Sequence, residues 1–323
     1  MTLAGPSALL TGCAASGTPS GGHATSTPSS SGSPPRSGSS SSSSSPASAR
    51  RSPAPHVMVV MMENEGALDI IGNAALPYVT SLATDYGSAT RSYALAHPSL
   101  PNYLAIVSGS NQGVTQDQPP SAGNFPNVPT LADQLAAAGY SEEAYAENLP
   151  PDPTDDSGLY AVRHDPWEYF PRTKITVADA STLTGALDTA SPPDFVWYTP
   201  NLTDDGHTGV PDNTAAQQLS DTEAFLARFI PGVQATSWYR DGGQIVIEWD
   251  EALGSDSSGL NGGSGGRVAT IVVSDALKSN PRQDPAPVDT FGILRSIEDR
   301  YGLPHLGHAA DAANGTIDAL LDD

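Results

Sequence analysis

The sequence predicts an α/β domain built on a mostly parallel central sheet flanked by helices. Continuous apolar runs, such as Val57-Met58-Val59-Val60-Met61-Met62, have the signature of strands buried on both faces. Amphipathic segments separate these runs, and strand–helix alternation builds parallel neighbours through helical crossovers. The strands also stop at polar residues, which bears on where a site would lie.

Taken in order, a strand covers 57–62 and a helix is predicted from Pro77 to Tyr86. A second helix begins at Ser99 and runs through Ile106, because serine is a preferred cap and Pro101 suits a first turn. The clearest helix runs from Thr130 to Ala138, with Thr130 as cap and Gly139 as stop. A short strand at Ala144-Tyr145-Ala146 precedes the strand Asp194–Tyr198 and a helix from Asn213 to Phe229. Strands at 244–249 and 267–273 and a helix at 291–301 complete the domain. The glycine- and serine-rich stretch 254–266 reads as a mobile loop or a hairpin tip beside the preceding strand end.

Residues 1–55 stand apart from this pattern. Ser39 to Ser45 is an unbroken serine run inside Gly-Ser-Pro text, with too little apolar surface to offset the entropy of ordering it. A disordered linker is therefore expected over 16–55, ahead of one domain covering 56–323. Leu9-Leu10-Thr11-Gly12-Cys13 resembles the lipobox of a bacterial lipoprotein. Residues 1–15 then read as a signal remnant, Cys13 as a lipid anchor, and the location as secreted or cell-surface, with a chance Leu-x-Gly-Cys as the plain alternative.

The 323 residues carry 14 basic and 36 acidic side chains, a formal net charge of −22. The first 55 positions contain Arg36, Arg50 and Arg51 and no acid, so the domain is more acidic still. That balance argues against binding nucleic acid through a basic face. One cysteine rules out a disulfide framework and a four-cysteine zinc site. A monomer is expected.

Four strand ends carry the functional signal. Met62 leads into Glu63-Asn64, Ala146 into Glu147-Asn148, Tyr198 toward Asn201 and Asp204-Asp205-Gly206-His207, and Trp249 into Asp250-Glu251. Ligands of open α/β sheets bind beyond the carboxyl ends of the strands. One polar ending is an ordinary turn; four on parallel, neighbouring strands would build a site. The densest motif is His97-Pro98-Ser99-Leu100-Pro101-Asn102-Tyr103. Ser99 there either caps a helix or serves as a nucleophile at a helix N-terminus that attracts phosphate.

These blocks, together with Tyr145-Ala146-Glu147-Asn148-Leu149-Pro150, resemble a bacterial phosphoesterase family. That family contains secreted acid phosphatases, phosphatidylinositol-3-phosphate phosphatases and phospholipases C, and belongs to the alkaline phosphatase superfamily. The resemblance runs over roughly 56–308 and implies an alkaline phosphatase-like fold. It implies that Glu63 and Asn64 ligate a metal, that Ser99 is a metal-bound nucleophile, and that Asp250 and Glu251 complete the metal site. His207 would contact phosphoryl oxygens or the leaving group, while His97, Asn102, Asn148 and His164 are further pocket candidates, with turn hydrogen bonding the equal alternative for Asn102 and Asn148. In one place the chain departs from the family: Thr290 stands in Asp289-Thr290-Phe291 where a histidine is expected.

The chemistry explains the residue types. Phosphoryl transfer needs an in-line nucleophile and positive charge on the equatorial oxygens. Three carboxylates gathered from distant strands repel one another unless a cation lies between them. One or two divalent ions are expected, and the oxygen-rich set Glu63, Asn64, Ser99, Asp250 and Glu251 ranks Ca²⁺, Mn²⁺ or Mg²⁺ ahead of Zn²⁺. The expected activity is hydrolysis of a phosphate monoester, with a phosphoinositide headgroup among the candidate substrates. A phospholipase C-type phosphodiesterase is the nearest alternative; the stop near Asp323 leans toward the monoesterase. A surface lipoprotein that binds a phosphorylated ligand without turnover is the alternative from another class.

Overall fold

The computed structural model describes residues 54–207 and 214–321. The lipobox, Cys13 and the serine-rich linker lie outside the described residues, as does the expected helix start at Asn213.

The core is an eight-stranded sheet. Its strands are β1 (His56–Met62), β2 (Gly87–Tyr93), β3 (Glu142–Ala146), β4 (Val177–Asp179), β5 (Phe195–Thr199), β6 (Gly243–Trp249), β7 (Arg267–Val273) and β8 (Arg282–Asp289). They lie in the order β4-β3-β5-β1-β6-β7-β2-β8. β7 runs antiparallel to both β6 and β2, and the other pairings are parallel. The sheet is thus mixed but mostly parallel, as the apolar runs predict.

Five helices of eight residues or more pack on the two faces: α1 (Pro77–Asp85), α2 (Leu100–Ser108), α3 (Leu131–Ala138), α4 (Ala215–Gln234) and α5 (Thr290–Tyr301). Alternation along β1 divides the core. Val57, Val59 and Met61 join α2, α3 and α5 on one face, while Met58, Val60 and Met62 join α1 and α4 on the other. Every residue of α2 is buried. That helix is apolar all round because it lies between the sheet and its neighbouring helices.

Local chemistry sets the helix ends. Thr130 and Asp133 form a reciprocal capping box at α3, and Gly139 ends it in the left-handed conformation. α4 extends five residues past the expected stop at Phe229, carrying Pro231 inside its last turns. Three strands escape the sequence pattern. β2 is written Gly-Ser-Ala-Thr-Arg-Ser-Tyr and its small polar residues lie buried. β8 is an edge strand holding Pro285 and Pro287, which an edge tolerates. β4 is three residues long, at the opposite edge.

The 254–266 stretch joins the antiparallel pair β6 and β7, and backbone hydrogen bonds fasten it at several points. The amide of Ala252 donates to Gly265 O at 2.8 Å, that of Gly266 to Ser258 O at 2.8 Å, and that of Ser264 to Leu95 O at 2.9 Å. A freely mobile loop is not what these contacts describe.

Candidate active site

The four strands with polar endings prove to be contiguous and parallel, in the order β3-β5-β1-β6. Met62 pairs with Trp249, so Glu63 and Asp250 leave the sheet at the same level. The backbone continues the ladder for one residue more: the Asp250 amide donates to Met62 O and the Glu63 amide to Asp205 O, each at 3.0 Å. Register alone therefore brings the loops after β1, β5 and β6 together.

Ser99 enters from a fourth element. It takes helical angles just before α2 and its side chain makes no capping bond. Its Oγ lies 3.1 Å from Glu63 Oε2 and 3.2 Å from Glu251 Oε1. The role of a mere cap is thereby excluded. The end of the helix is instead served by Asp117, whose Oδ1 accepts from the Leu100 amide at 3.1 Å. Four residues into the helix, the Tyr103 hydroxyl donates to Glu63 Oε1 at 2.9 Å.

Asp250 and Asn64 support the same cluster. Asp250 Oδ1 accepts from the amides of Asn64 at 3.2 Å and Glu251 at 2.7 Å. Its Oδ2 is buried without a hydrogen-bond partner among the described residues. The Asn64 side-chain amide donates to Glu63 Oε2 at 2.5 Å, and Asn64 itself holds φ 57, a conformation asparagine tolerates well. His97 braces Glu251 from outside: Nδ1 meets Glu251 Oε2, and Nε2 lies 2.9 Å from Asp256 O in the β6–β7 connection.

A second cluster adjoins through Glu63. His164 is buried, with Nε2 3.0 Å from Glu63 Oε1 and Nδ1 3.2 Å from Asp205 Oδ2. Its ring stacks on Tyr103 at 5.2 Å and lies 5.4 Å from the ring of His207. Glu63, His164 and His207 offer ligand atoms within 4.8 Å of one another. Arg163 Nη2 donates to His207 Nε2 at 3.0 Å.

Charge follows from this geometry. Burial pushes the Glu63 carboxyl upward, but His164, His207 and Arg163 together outweigh it and hold the group at about 2. Burial lowers the affinity of His164 for its second proton, yet Glu63 and Asp205 carry it up to about 9. Glu251 is pushed up to about 7 by burial and by Glu63, and Asp250 rises well above the usual carboxylate range for the same two reasons. Asp205 is also raised to about 7, chiefly by burial. Glu63 is the carboxylate held most firmly in its charged form, and its neighbours take up protons more readily than ordinary carboxylates do.

The donor set fits a divalent cation. Ser99 has one hydroxyl proton and faces two carboxylate oxygens at hydrogen-bond distance, so both contacts are hydrogen bonds only while one of the carboxyls carries a proton. The orphaned Asp250 Oδ2 lies in the same cluster. A cation shared among these oxygens satisfies all of them.

Other expected residues lie elsewhere or act indirectly. Asn102 is buried, but its Oδ1 accepts from the amides of Leu95 and Ala96, each at 3.0 Å, and its Nδ2 donates to Ala96 O at 2.8 Å. It shapes the turn before Ser99 and does not face the pocket. Asn148 occupies the turn after β3 at φ 56 with an exposed side chain, and no hydrogen bond among the described residues joins it to the cluster. Its neighbour Glu147 braces the loop after β5 through the Tyr198 hydroxyl at 2.9 Å and the Asn201 amide at 3.1 Å. Thr290 is buried in the first turn of α5, whose cap is Asp289. His305 pairs with Asp299 at 2.8 Å, and the His308 ring lies 5.1 Å from that of Phe291 at an angle of 42°. Sequence reasoning assigned no role to Asp205, Tyr103, Arg163 or Asp117. The first two lay inside the motifs and Arg163 beside His164, whereas Asp117 carried no signal.

The model of the phosphoesterase family matches residues 62–304, from the end of β1 to beyond α5. The chain belongs to the phosphoesterase family. It is a phosphoric ester hydrolase. A phosphatidylinositol-3-phosphatase from Mycobacterium tuberculosis is 28% identical over 261 residues, covering 80% of each chain. A probable acid phosphatase from Kluyveromyces lactis is 25% identical over 270 residues, which are 79% of this chain and 60% of that one. Among solved structures, a protein of the alkaline phosphatase superfamily from Vibrio parahaemolyticus superposes with a TM-score of 0.54 at 12% identity, covering 80% of this chain and 70% of that one. The lipoteichoic acid synthase LtaP from Listeria monocytogenes matches equally well, with 0.54 at 12% identity and coverage of 81% and 76%. These structural likenesses establish the fold, that of the alkaline phosphatase superfamily.

Proposed function

We propose that this phosphoesterase hydrolyses phosphate monoesters with Ser99 as nucleophile and a divalent cation as cofactor. The observation that carries the reading is the Ser99 hydroxyl, set at 3.1 and 3.2 Å from two buried carboxylates at the start of a helix held rigidly in the core. Glu63, Asn64, Asp250 and Glu251 would hold a cation beside Ser99, and Glu63, His164 and His207 offer a second set that shares Glu63. A cation bound there would polarise the phosphoryl oxygens and lower the pKa of a coordinated hydroxyl. Two imidazoles next to the carboxylates favour Mn²⁺ or Zn²⁺ over Ca²⁺, a different ranking from the one an oxygen-only set suggests.

In the first step Ser99 Oγ attacks phosphorus in line with the departing alcohol, and its proton passes to Glu251, the more basic of the two carboxylates it touches. The alcohol takes a proton from His207 or water. In the second step water attacks the phosphoserine, releases inorganic phosphate and restores the hydroxyl. His97 keeps Glu251 oriented throughout through its Nδ1 contact. The mycobacterial relative's name supports a phosphorylated inositol lipid among the substrates.

The test is release of p-nitrophenol from p-nitrophenyl phosphate, run beside bis-p-nitrophenyl phosphate, after chelation and with single metals restored. Turnover of the monoester that returns with metal and vanishes in Ser99→Ala supports the reading. Preference for the diester would move the chain to the phosphodiesterase side, and binding of metal without turnover would favour a ligand-binding role.

A further inference from the structure

The loop that carries Asp205 and His207 is fastened at its base by one side chain from the neighbouring strand. Glu147 follows β3, and its amide donates to Thr199 O at 3.0 Å, so the β3–β5 ladder fixes where its side chain starts. The carboxyl reaches across to β5 and the loop beyond it. Oε1 accepts from the Tyr198 hydroxyl at 2.9 Å and Oε2 from the Asn201 amide at 3.1 Å. It also forms a side-chain hydrogen bond with Asp204. From Asn201 the hydrogen bonds run on to the site. Asn201 Oδ1 accepts from the amides of Thr203 and Asp204, at 2.9 and 3.1 Å, and Asn201 O from that of Asp205 at 2.9 Å. Asp205 Oδ1 accepts from the His207 amide at 2.7 Å, and its Oδ2 lies 3.2 Å from His164 Nδ1.

We propose that Glu147 is a positioning residue whose proton-sharing contact with Asp204 latches the loop bearing Asp205 and His207 onto the cluster, and that the loop loosens when that proton is lost. This rests on the phosphomonoesterase reading above, in which His207 serves the departing alcohol. Two ionised carboxylates have no proton to share, so the contact between Glu147 and Asp204 is a hydrogen bond only while one of them is protonated. A protonated Glu147 gives its O–H to Asp204 and keeps acceptor capacity for Tyr198 and Asn201. Among the described residues, the titratable groups facing it are Tyr198 of β5 and Asp204 of the loop, with Arg228 of α4 paired to Asp204 behind them. Once the proton leaves, two carboxylates face each other across that one largely exposed guanidinium, which offsets their repulsion weakly. Burial first, and Asp204 next, push the Glu147 carboxyl up to about 7, so the proton leaves as pH rises through that value. The fastened loop is thus favoured on the acid side and lost on the alkaline side, because the closed pair binds a proton that the loosened pair binds less tightly.

Glu147→Gln is the variant that discriminates: its amide donates to Asp204 and its oxygen still accepts, so it mimics the protonated carboxyl at every pH. Amide hydrogen exchange on the full chain follows the loop, once corrected for the intrinsic pH dependence of exchange. In the wild type, protection of the Thr203, Asp204, Asp205 and His207 amides should fall about tenfold or more between pH 5 and pH 8, since each pH unit of titration is worth a factor of about ten. Glu147→Gln should lose most of that fall. On p-nitrophenyl phosphate with saturating Mn²⁺, the ratio of kcat at pH 5 to kcat at pH 8 should be at least about threefold smaller in Glu147→Gln than in the wild type. Glu147→Ala keeps no brace and should be slow at both pH values. A support without a latch would lower activity in both variants and leave the pH dependence alone. Equal pH dependence in the wild type and Glu147→Gln, in exchange or in kcat, would overturn the proposal. Should Glu147→Gln fail to fold, Asp204→Asn gives the same comparison from the other side, its amide donating to the ionised Glu147. Should the wild-type chain turn over no ester, the phosphomonoesterase reading fails on its own, and the exchange measurement still decides for the latch.

Discussion

Ser99 sets its hydroxyl between two buried carboxyls at the start of a helix, and that placement carries most of what the site can do. Replacing it with alanine should lower turnover by at least about a thousandfold, on the pattern of other serine nucleophiles. The same change removes a buried hydroxyl from an acidic cluster and should leave the melting temperature unchanged or raised. Calorimetry beside the kinetic assay checks both halves. His97 works at one remove, through Glu251 and Asp256 O. His97→Ala should weaken metal affinity or activity by about 10- to 100-fold, the usual cost of losing an outer partner of a ligand. A metal titration followed by intrinsic fluorescence would show it. The strand-end motifs and the family resemblance together named Ser99, Glu63, Asp250, Glu251, His97, His164 and His207. For Asn102 they left a pocket role and turn hydrogen bonding open, and its side chain satisfies backbone amides in its own turn. A sequence shows that an asparagine is near a site but not which way its amide turns.

At the scale of elements, the strands that position the site and their neighbour β7 were legible, and β2, β4 and β8 were not. β1, β5, β6 and β7 are buried on both faces and read as unbroken apolar runs. β2 holds its place with small polar residues under helices. Gly87 approaches Leu277 so closely that a Cβ would meet its Cδ1 at 2.8 Å. Close packing of that kind leaves no apolar period to detect. Helix α3 was legible to the residue because its cap chemistry is local. That chemistry gives a prediction: Thr130→Ala removes the side-chain half of the capping box, keeps the backbone amide of residue 130 on Asp133, and should cost about 0.5–2 kcal/mol. In a domain of this size each kcal/mol lowers the melting temperature by roughly 2–4 °C. Phosphatase activity at 25 °C should not change, since α3 contributes no group to the cluster.

Across the whole molecule, buried acids make stability depend on pH and on metal together. Glu251, Asp205, Glu147 and Asp165 are raised to about 7 and Glu298 to about 8, burial being the first cause in each. Such a carboxyl binds more protons folded than unfolded between its ordinary value and its raised one. Its contribution is therefore full at low pH and lost as pH rises toward 8. His164, raised to about 9, adds stability below its ordinary value and loses it in the same direction. Glu63 has the opposite sign, as do the surface groups Asp152, Asp179 and Asp256, and its contribution is lost only as pH falls toward 2. The chelated protein should thus unfold at lower urea concentration at pH 8 than at pH 5. Mn²⁺ should narrow or reverse the difference, because deprotonated ligands bind it more tightly as pH rises. A midpoint independent of both pH and metal would show that the cluster is not coupled to folding.

The central claim is that Ser99 becomes phosphorylated during turnover. Metal-loaded protein mixed with p-nitrophenyl phosphate, quenched in acid within milliseconds and digested, can be read by peptide mass spectrometry. The account predicts a phosphoryl increment on the peptide containing Ser99, accumulating before steady state and lost on longer incubation. A clean Ser99 peptide at every time point, while p-nitrophenol is still released at full rate, would contradict it.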